Sequence, residues 1–232
     1  MSKNNAVTKV AIFDFCGTFV PFQTADAYIK WLNKDYISYK KKKRVERLQH
    51  FYSKTRLNHV YAKLFNKQIN KITIAKTIKG IDYNTAKKYA ETFVEKCIKP
   101  QIIKQTESYL SEFKKRKEKG ENIFIMFVSA AYDIYLDIFK NQYGFDGIVS
   151  TGLEHKNNKM TGKILHDCVG YNKKKMAIKY LDKTFGAGNY NIIFSIGDSI
   201  SDIPILDVAD KKVVIAQKHN DWIKDDYEEV II

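Results

Sequence analysis

The chain has 232 residues, 44% of them hydrophobic, with 40 Lys and Arg against 26 Asp and Glu for a formal net charge of +14 at pH 7. That apolar content builds a full core and excludes a disordered chain, and the length suits one large domain or a domain carrying an insert. The positive excess favours anionic partners without choosing among nucleic acid, a membrane surface and phosphorylated metabolites, and a solvated lysine-rich surface accounts for it equally well.

The first apolar run, Lys9 to Phe15, reads as a buried strand. It is about six residues long and is broken by Asp14, too short for a signal sequence or a membrane span, so a soluble protein is expected. Tyr28, Trp31 and Leu32 then fall at helical spacing, as do Val45, Leu48 and Tyr52. The run KKKKR at 40–44 lies between these sets and reads as a solvated helix face, with attraction of a substrate or polyanion as the second reading. Ala86, Tyr89, Ala90, Phe93, Val94 and Cys97 repeat at helical spacing, with Thr85 placed to cap the start and Pro100 following the end. Ile102, Ile103, Thr106, Tyr109, Leu110 and Phe113 continue as a helix to a stop at Gly120.

A second buried strand is expected over Ile123 to Val128, followed by a helix carrying Tyr132, Tyr135, Leu136 and Phe139. Met176, Ala177, Tyr180 and Leu181 mark another helix, ahead of strands at Asn191 to Ile196 and Lys212 to Ile215. Strands alternating with helices imply an α/β fold with a Rossmann-like, open, mostly parallel sheet. The gap between Phe15 and Ile123 far exceeds the dozen or so residues that a crossover helix needs. Residues 1–19 and 106–232 are therefore assigned to the α/β core domain and residues 20–105 to an inserted helical domain.

Cys16, Cys97 and Cys168 are far apart and lack metal-ligand spacing, which favours a reducing compartment and a cytoplasmic protein. Cys97 falls on an apolar helix face and belongs to the core, whereas Cys168 sits in a loop just before a lysine run. The five histidines show no ligand spacing.

Open α/β sheets bind ligands beyond the carboxyl ends of their strands. Here those positions carry Asp14, Cys16, Gly17 and Thr18 after the first strand, Ser129 after the second, and GDSISD with Asp198 and Asp202 after the third. The segment NKKKMAI adds Lys173, Lys174 and Lys175 at a helix start. Three converging carboxylates repel one another unless a cation sits among them, and hard oxygen ligands point to Mg²⁺. A lysine and a serine hydroxyl beside them suit a phosphoryl group, which an aspartate can attack as a covalent nucleophile. Taken singly, each residue has an ordinary explanation: an Asp after a strand caps a turn or helix, and Ser129 could cap the helix of Tyr132 to Phe139.

With DFCGT, the strand ending at Ser129, a lysine at 173–175 and GDSISD in this order, the chain resembles the haloacid dehalogenase superfamily and, within it, the phosphoserine-phosphatase-like branch. GLEHKNNKMTGKI, residues 152–164, resembles the hairpin of that branch, and the helical insert matches its cap domain (C1 type) in position and kind. The resemblance implies Asp14 as the nucleophile that becomes an aspartyl-phosphate, and Mg²⁺ held by Asp14, Asp198, Asp202 and the backbone carbonyl of Cys16. It also implies phosphoryl binding by Ser129 and one lysine, with Gly17 and Ala130 lining the substrate position and Thr18 orienting Asp14. Lys173 is favoured because the next apolar helix residue, Met176, lies three positions on, while Lys175 fits a pattern in which it follows directly. The implied activity is Mg²⁺-dependent hydrolysis of a small phosphorylated metabolite, with neither nucleic acid nor membrane as partner.

One position departs from the family pattern. Phosphatases of this family usually carry a second aspartate two residues after the nucleophile, for leaving-group protonation and water activation, and here Cys16 stands there. A thiol can donate a proton, but a thiolate beside a phosphoryl group and carboxylates is disfavoured, so slow dephosphorylation or phosphotransfer is expected unless another residue, from the insert or the loop of Cys168, replaces the base. A second class of reading, a degenerate fold binding phosphorylated ligands or nucleic acid, rests on the net charge of +14 and on 15 Tyr and 14 Phe available for stacking. It leaves the intact Asp14, Asp198 and Asp202 unexplained.

Overall fold

The computed structural model describes residues 7–55, 57, 60, 61, 64 and 69–232. Alternate residues of the first strand, β1 (Thr8–Phe13), face opposite ways: Ala11 and Phe13 enter one hydrophobic cluster and Val10 and Ile12 another. Such a strand is buried on both faces, which is why it reads as an unbroken apolar run. The same holds for β2 (Ile123–Tyr132) and β5 (Tyr190–Gly197). With β3 (Gly147–Lys156), β4 (Lys159–His166), β6 (Lys211–Ala216) and β7 (Glu228–Ile231) they form one seven-stranded sheet in the order β4-β3-β2-β1-β5-β6-β7. All neighbours are parallel except β3 and β4, whose two-residue turn, Asn157 and Asn158, has positive φ at both positions. Asparagine tolerates that conformation better than most residues, and such turns suit the twist of a hairpin.

Helices cover both faces. In chain order these are α1 (Thr24–Asn33), α2 (Tyr39–Lys54), α3 (Ile69–Ala75), α4 (Tyr83–Phe93), α5 (Lys104–Glu118), α6 (Asp133–Gln142), α7 (Tyr171–Phe185) and the short α8 (Ile203–Leu206). α5 and α6 pack on the face of Phe13 and Phe127, while α7 and α8 pack on the face of Val10 and Met126. α1 to α4 lie between β1 and α5. Chain exit and return meet at one point, where Ile103 N donates to Phe19 O (2.9 Å) and Thr106 Oγ1 to Thr18 O (2.6 Å). α1 and α4 then seat on α6 through Tyr28, Phe93 and Tyr135, whose ring centroids lie 5.2–5.6 Å apart in tilted and edge-on pairs. Each such aromatic pair adds about 0.5–1.5 kcal/mol beyond the area it buries. The Lys40 to Arg44 run is exposed on α2.

Three sequence expectations need correction. The cap of α4 is Asp82, whose carboxylate accepts from Thr85 N (2.9 Å), so Thr85 is the residue being capped. β2 does not stop at Val128: its pairing with β3 jumps from Val128–Val149 to Tyr132–Thr151, leaving a bulge over residues 129–131. Ser129 therefore caps no helix. Its Oγ accepts from Ala131 N (3.3 Å), occupying an N–H that the bulge removes from the ladder. The edge strand β7 escapes sequence detection because its EEVI pattern is short, charged and partly exposed.

Candidate active site

β1, β5 and α7 deliver four charged side chains to one rim. Asp14 extends β1 by one residue, its N–H donating to Ile196 O of β5 (2.9 Å). Asp198 follows β5 directly, and Asp202 closes a single 3-10 turn, Ile200–Asp202. One Asp202 oxygen accepts from the N–H groups of Asp198 and Ser199 and from Ser199 Oγ (2.8–3.2 Å), which aims the other at Lys173. Lys173, in the first turn of α7, donates to Asp14 Oδ1 (2.8 Å) and to Asp202 Oδ1. The second oxygen of Asp14 accepts from Thr18 Oγ1 (3.2 Å), a hydroxyl that also lies 3.3 Å from Asp198 Oδ1. Both carboxylate oxygens of Asp14 are thus held in place, and the group is only 3% exposed.

Gly17 is required by this packing. Its φ is +81°, and a Cβ there would stand 2.1 Å from Asp198 Oδ2.

The electrostatics bear on whether these residues suit a metal. Oxygens of Asp14, Asp198 and Asp202 lie within 4.8 Å of one another, and among the described residues this is the one group of acidic, His or Cys side chains so gathered. Burial alone would push the Lys173 ammonium down, but the charges of Asp14 and Asp202 hold it well above the ordinary lysine range. One ammonium cannot neutralise three carboxylates. Burial first, and then the charges of Asp14 and Asp202, push the Asp198 carboxyl up to about 8. A hard dication with oxygen ligands relieves that conflict, so the donor set fits Mg²⁺.

A cavity of about 350 Å³ opens on this cluster, with Asp14, Cys16, Ala130, Lys173 and Asp198 on its wall. Ser129 is wholly buried, and the neighbouring Ala130 takes the place on the wall. Gly17 instead borders an adjoining cavity with Phe22, Gln23 and Asp198. Lys175 is exposed on α7, two residues or about 200° of helix from Lys173, and is not part of the cluster.

Cys16 is 5% exposed, and its Sγ lies 2.9 Å from Thr24 Oγ1, which in turn lies 2.7 Å from Tyr135 Oη. Burial, and then the charge of Asp14, push the thiol up, so it keeps its proton at neutral pH. Cys168 is wholly buried, its thiol pushed to about 12 mainly by burial, and it does not reach the cavity.

Three residues of this region carry no signal in the sequence reading: Asp26 and Lys71 on the cavity wall, and Asp167. Lys71 of α3 is 3% exposed and donates to Asp167 Oδ1 (2.6 Å), Thr151 Oγ1 (2.8 Å) and the carbonyl of Ala130 in the β2 bulge (2.8 Å). Asp26 stands in the first turn of α1.

A family model described as haloacid dehalogenase-like hydrolase matches residues 11–207. Solved structures with the same fold include a protein of unknown function from Bordetella pertussis Tohama I, with a TM-score of 0.68 at 14% identity over 90% of each chain. A HAD family hydrolase from Salmonella enterica subsp. enterica serovar Typhi gives 0.63 at 16% identity, over 96% of this chain and 67% of that one. A phosphoserine phosphatase solved as a phospho-aspartyl intermediate analogue gives 0.55 at 19% identity, over 90% and 86%. At these identities the likeness is one of fold. No functionally curated protein matches the chain by sequence. Among the described residues no helix is long and apolar enough to cross a membrane.

Proposed function

Because the chain belongs to the haloacid dehalogenase-like hydrolase family, we propose that it is a Mg²⁺-dependent phosphatase that hydrolyses a small phosphomonoester through an aspartyl-phosphate on Asp14. The observation that carries this reading is the fixing of Asp14 by Lys173 on one oxygen and Thr18 on the other, inside a cluster of three carboxylates. Asp14, Asp198 and Asp202, with the carbonyl of Cys16, would hold the cation, which when bound neutralises charge on the phosphoryl group. Lys173 would take a phosphoryl oxygen, Ala130 and the bulge that Ser129 closes would shape the phosphoryl pocket, and Gly17 would keep the backbone clear of Asp198. Lys175 has no part in it. Residues 20–105 would act as a cap on a core of residues 1–19 and 106–232, excluding water and reading the leaving group. The charge of the chain and the cavity's lysines suit a phosphorylated amino alcohol, amino acid or sugar.

The test is inorganic phosphate release from a panel of phosphomonoesters. Turnover with Mg²⁺ is expected to fall by about a hundredfold or more in excess EDTA and to return on re-addition of the metal, since charge neutralisation by a cation supplies several kcal/mol. Turnover indifferent to EDTA would remove the metal from the reading, and no release from any ester would remove the reading itself.

The buried, protonated Cys16 favours a second reading on the same chemistry, in which the phosphoenzyme passes its phosphoryl group to an alcohol faster than to water. Added glycerol would then yield glycerol phosphate in excess of inorganic phosphate.

A further inference from the structure

In a reaction through an aspartyl-phosphate the departing alkoxide needs a proton, and the water that attacks the phosphoenzyme must lose one. The side chains nearest Asp14 do not supply this. Cys16 holds its proton, sharing a hydrogen bond with Thr24, and Tyr135 beyond Thr24 is wholly buried with its phenol pushed well above the ordinary range, by burial first. Among the described residues no histidine lines the cavity, and Cys168 does not reach it.

Besides Asp14 and Asp198, which belong to the proposed cation cluster, the cavity wall carries one other carboxylate among the described residues, Asp26. Its position is fixed by the same contact that occupies Cys16. Thr24, the first residue of α1, touches the Cys16 sulfur at 2.9 Å, so α1 begins against position 16 and brings Asp26, two residues on, into the chamber. Asp26 is half-buried, and Lys30 and Lys71 act on its carboxyl by charge alone, without a hydrogen bond to it. Burial pushes its carboxyl up, against a weaker downward pull from Lys30 and Lys71. A carboxylate serving only the dipole of α1 would gain nothing from facing this cavity. Gln23, one turn earlier on the same wall, cannot ionise.

We infer that Asp26 is the general acid and base of the reaction, replacing the carboxylate that position 16 lacks. This rests on the phosphatase reading above. In the first step an Asp14 carboxylate oxygen bonds to phosphorus, the phosphorus–oxygen bond to the leaving group breaks, and the alkoxide takes the proton of the Asp26 carboxylic acid. In the second, water oxygen bonds to phosphorus, the bond from phosphorus to Asp14 breaks, and the Asp26 carboxylate takes the water proton. Phosphate leaves, Asp14 is again a carboxylate and Asp26 again an acid, so protons balance over the cycle.

The test compares wild type, Asp26→Asn and Asp26→Asn with Cys16→Asp on two substrates: p-nitrophenyl phosphate, whose phenolate leaves without help, and an alkyl phosphomonoester that the wild type turns over. Asp26→Asn is expected to lower kcat on the alkyl ester by about 10²- to 10³-fold. On p-nitrophenyl phosphate it should give a burst of nitrophenol stoichiometric with enzyme and then slow release. It should also lose the pH–rate limb assigned to the acid form. Adding Cys16→Asp, which restores a carboxyl beside Asp14, should recover about tenfold or more of phosphoenzyme breakdown. A wild type that turns over no phosphomonoester overturns the phosphatase reading. With an active wild type, any of three results overturns the role of Asp26 alone: an Asp26→Asn variant within about threefold of wild type on both esters, a KM rise confined to amine-bearing esters with kcat unchanged, or loss of burst and turnover together that Cys16→Asp does not restore.

Discussion

Asp14→Asn is expected to abolish turnover and the phosphoenzyme together while leaving the fold intact. The amide is close to isosteric with the carboxylate and keeps one oxygen, so Thr18 retains an acceptor, and Lys173 retains Asp202 as its ion-pair partner. The substitution removes one of three clustered charges, so folding does not suffer from unpaired charge as it would if Lys173 were removed. What is lost is the anionic oxygen that attacks phosphorus. Removing an essential nucleophile costs on the order of 10³-fold or more. The measurement pairs single-turnover phosphate release with acid-quenched detection of a hydroxylamine-sensitive phosphoenzyme. A variant within about tenfold of wild type in kcat would show that Asp14 is not the nucleophile.

The rim could be read from the sequence wherever a strand buried on both faces ends abruptly in polar residues. Phe13 and Gly197 are the last strand residues before Asp14 and Asp198, and in both cases the apolar run points straight at the carboxylate. The choice between Lys173 and Lys175 was also legible, though by a different signal from the distance to Met176. Lys173, Ala177 and Leu181 are the buried residues of α7 and fall at i, i+4 and i+8, so the phase of the apolar face already put Lys173 inward. At β2 the signal misled, because the apolar run stops at Val128 while the strand continues through a bulge that a polar Ser129 stabilises from within. A bulge depends on the partner strand as much as on the residues that form it.

The residues that escaped notice share another cause. Asp26 in the first turn of a helix looks like a complement to the helix dipole, and Lys71 in INKITIA looks like the solvent face of a short helix. Each acquires meaning only where α1 meets the chain just after β1 and α3 meets β2 and β3, beside the rim. Lys71 and Asp167 are 96 residues apart in the chain. No local spacing records such a meeting, whereas the motifs at the strand ends are each contained within a few residues.

Lys71→Met tests the attachment of α3 to this rim and should have the largest effect on stability. Lys71 and Asp167 have side chains 3% and 2% exposed and pair at 2.6 Å. The lysine's three donors are taken up by Asp167, Thr151 and the carbonyl of Ala130. Methionine keeps the aliphatic volume but leaves Asp167 buried with only the Thr151 hydroxyl (3.1 Å) on Oδ1 and no partner on Oδ2. Stripping one member from a buried ion pair costs about 3–5 kcal/mol. A chain of this size loses about 2–4 °C of Tm per kcal/mol, so a fall of roughly 10 °C is expected. Adding Asp167→Leu should recover most of it, because replacing both members by apolar groups is often close to neutral. The two outcomes also separate stability from catalysis. If the pair serves only to hold the fold, the double variant regains kcat/KM along with Tm. If the Lys71 bond to Ala130 also sets the shape of the phosphoryl pocket, the double variant regains Tm but stays about 10- to 100-fold down in kcat/KM, the scale expected of a displacement of about an ångström. The second result is the one expected, since Ala130 forms the cavity wall and Lys71 is the side chain that holds its carbonyl. A single variant that unfolds within about 2 °C of wild type would sink the proposed attachment altogether.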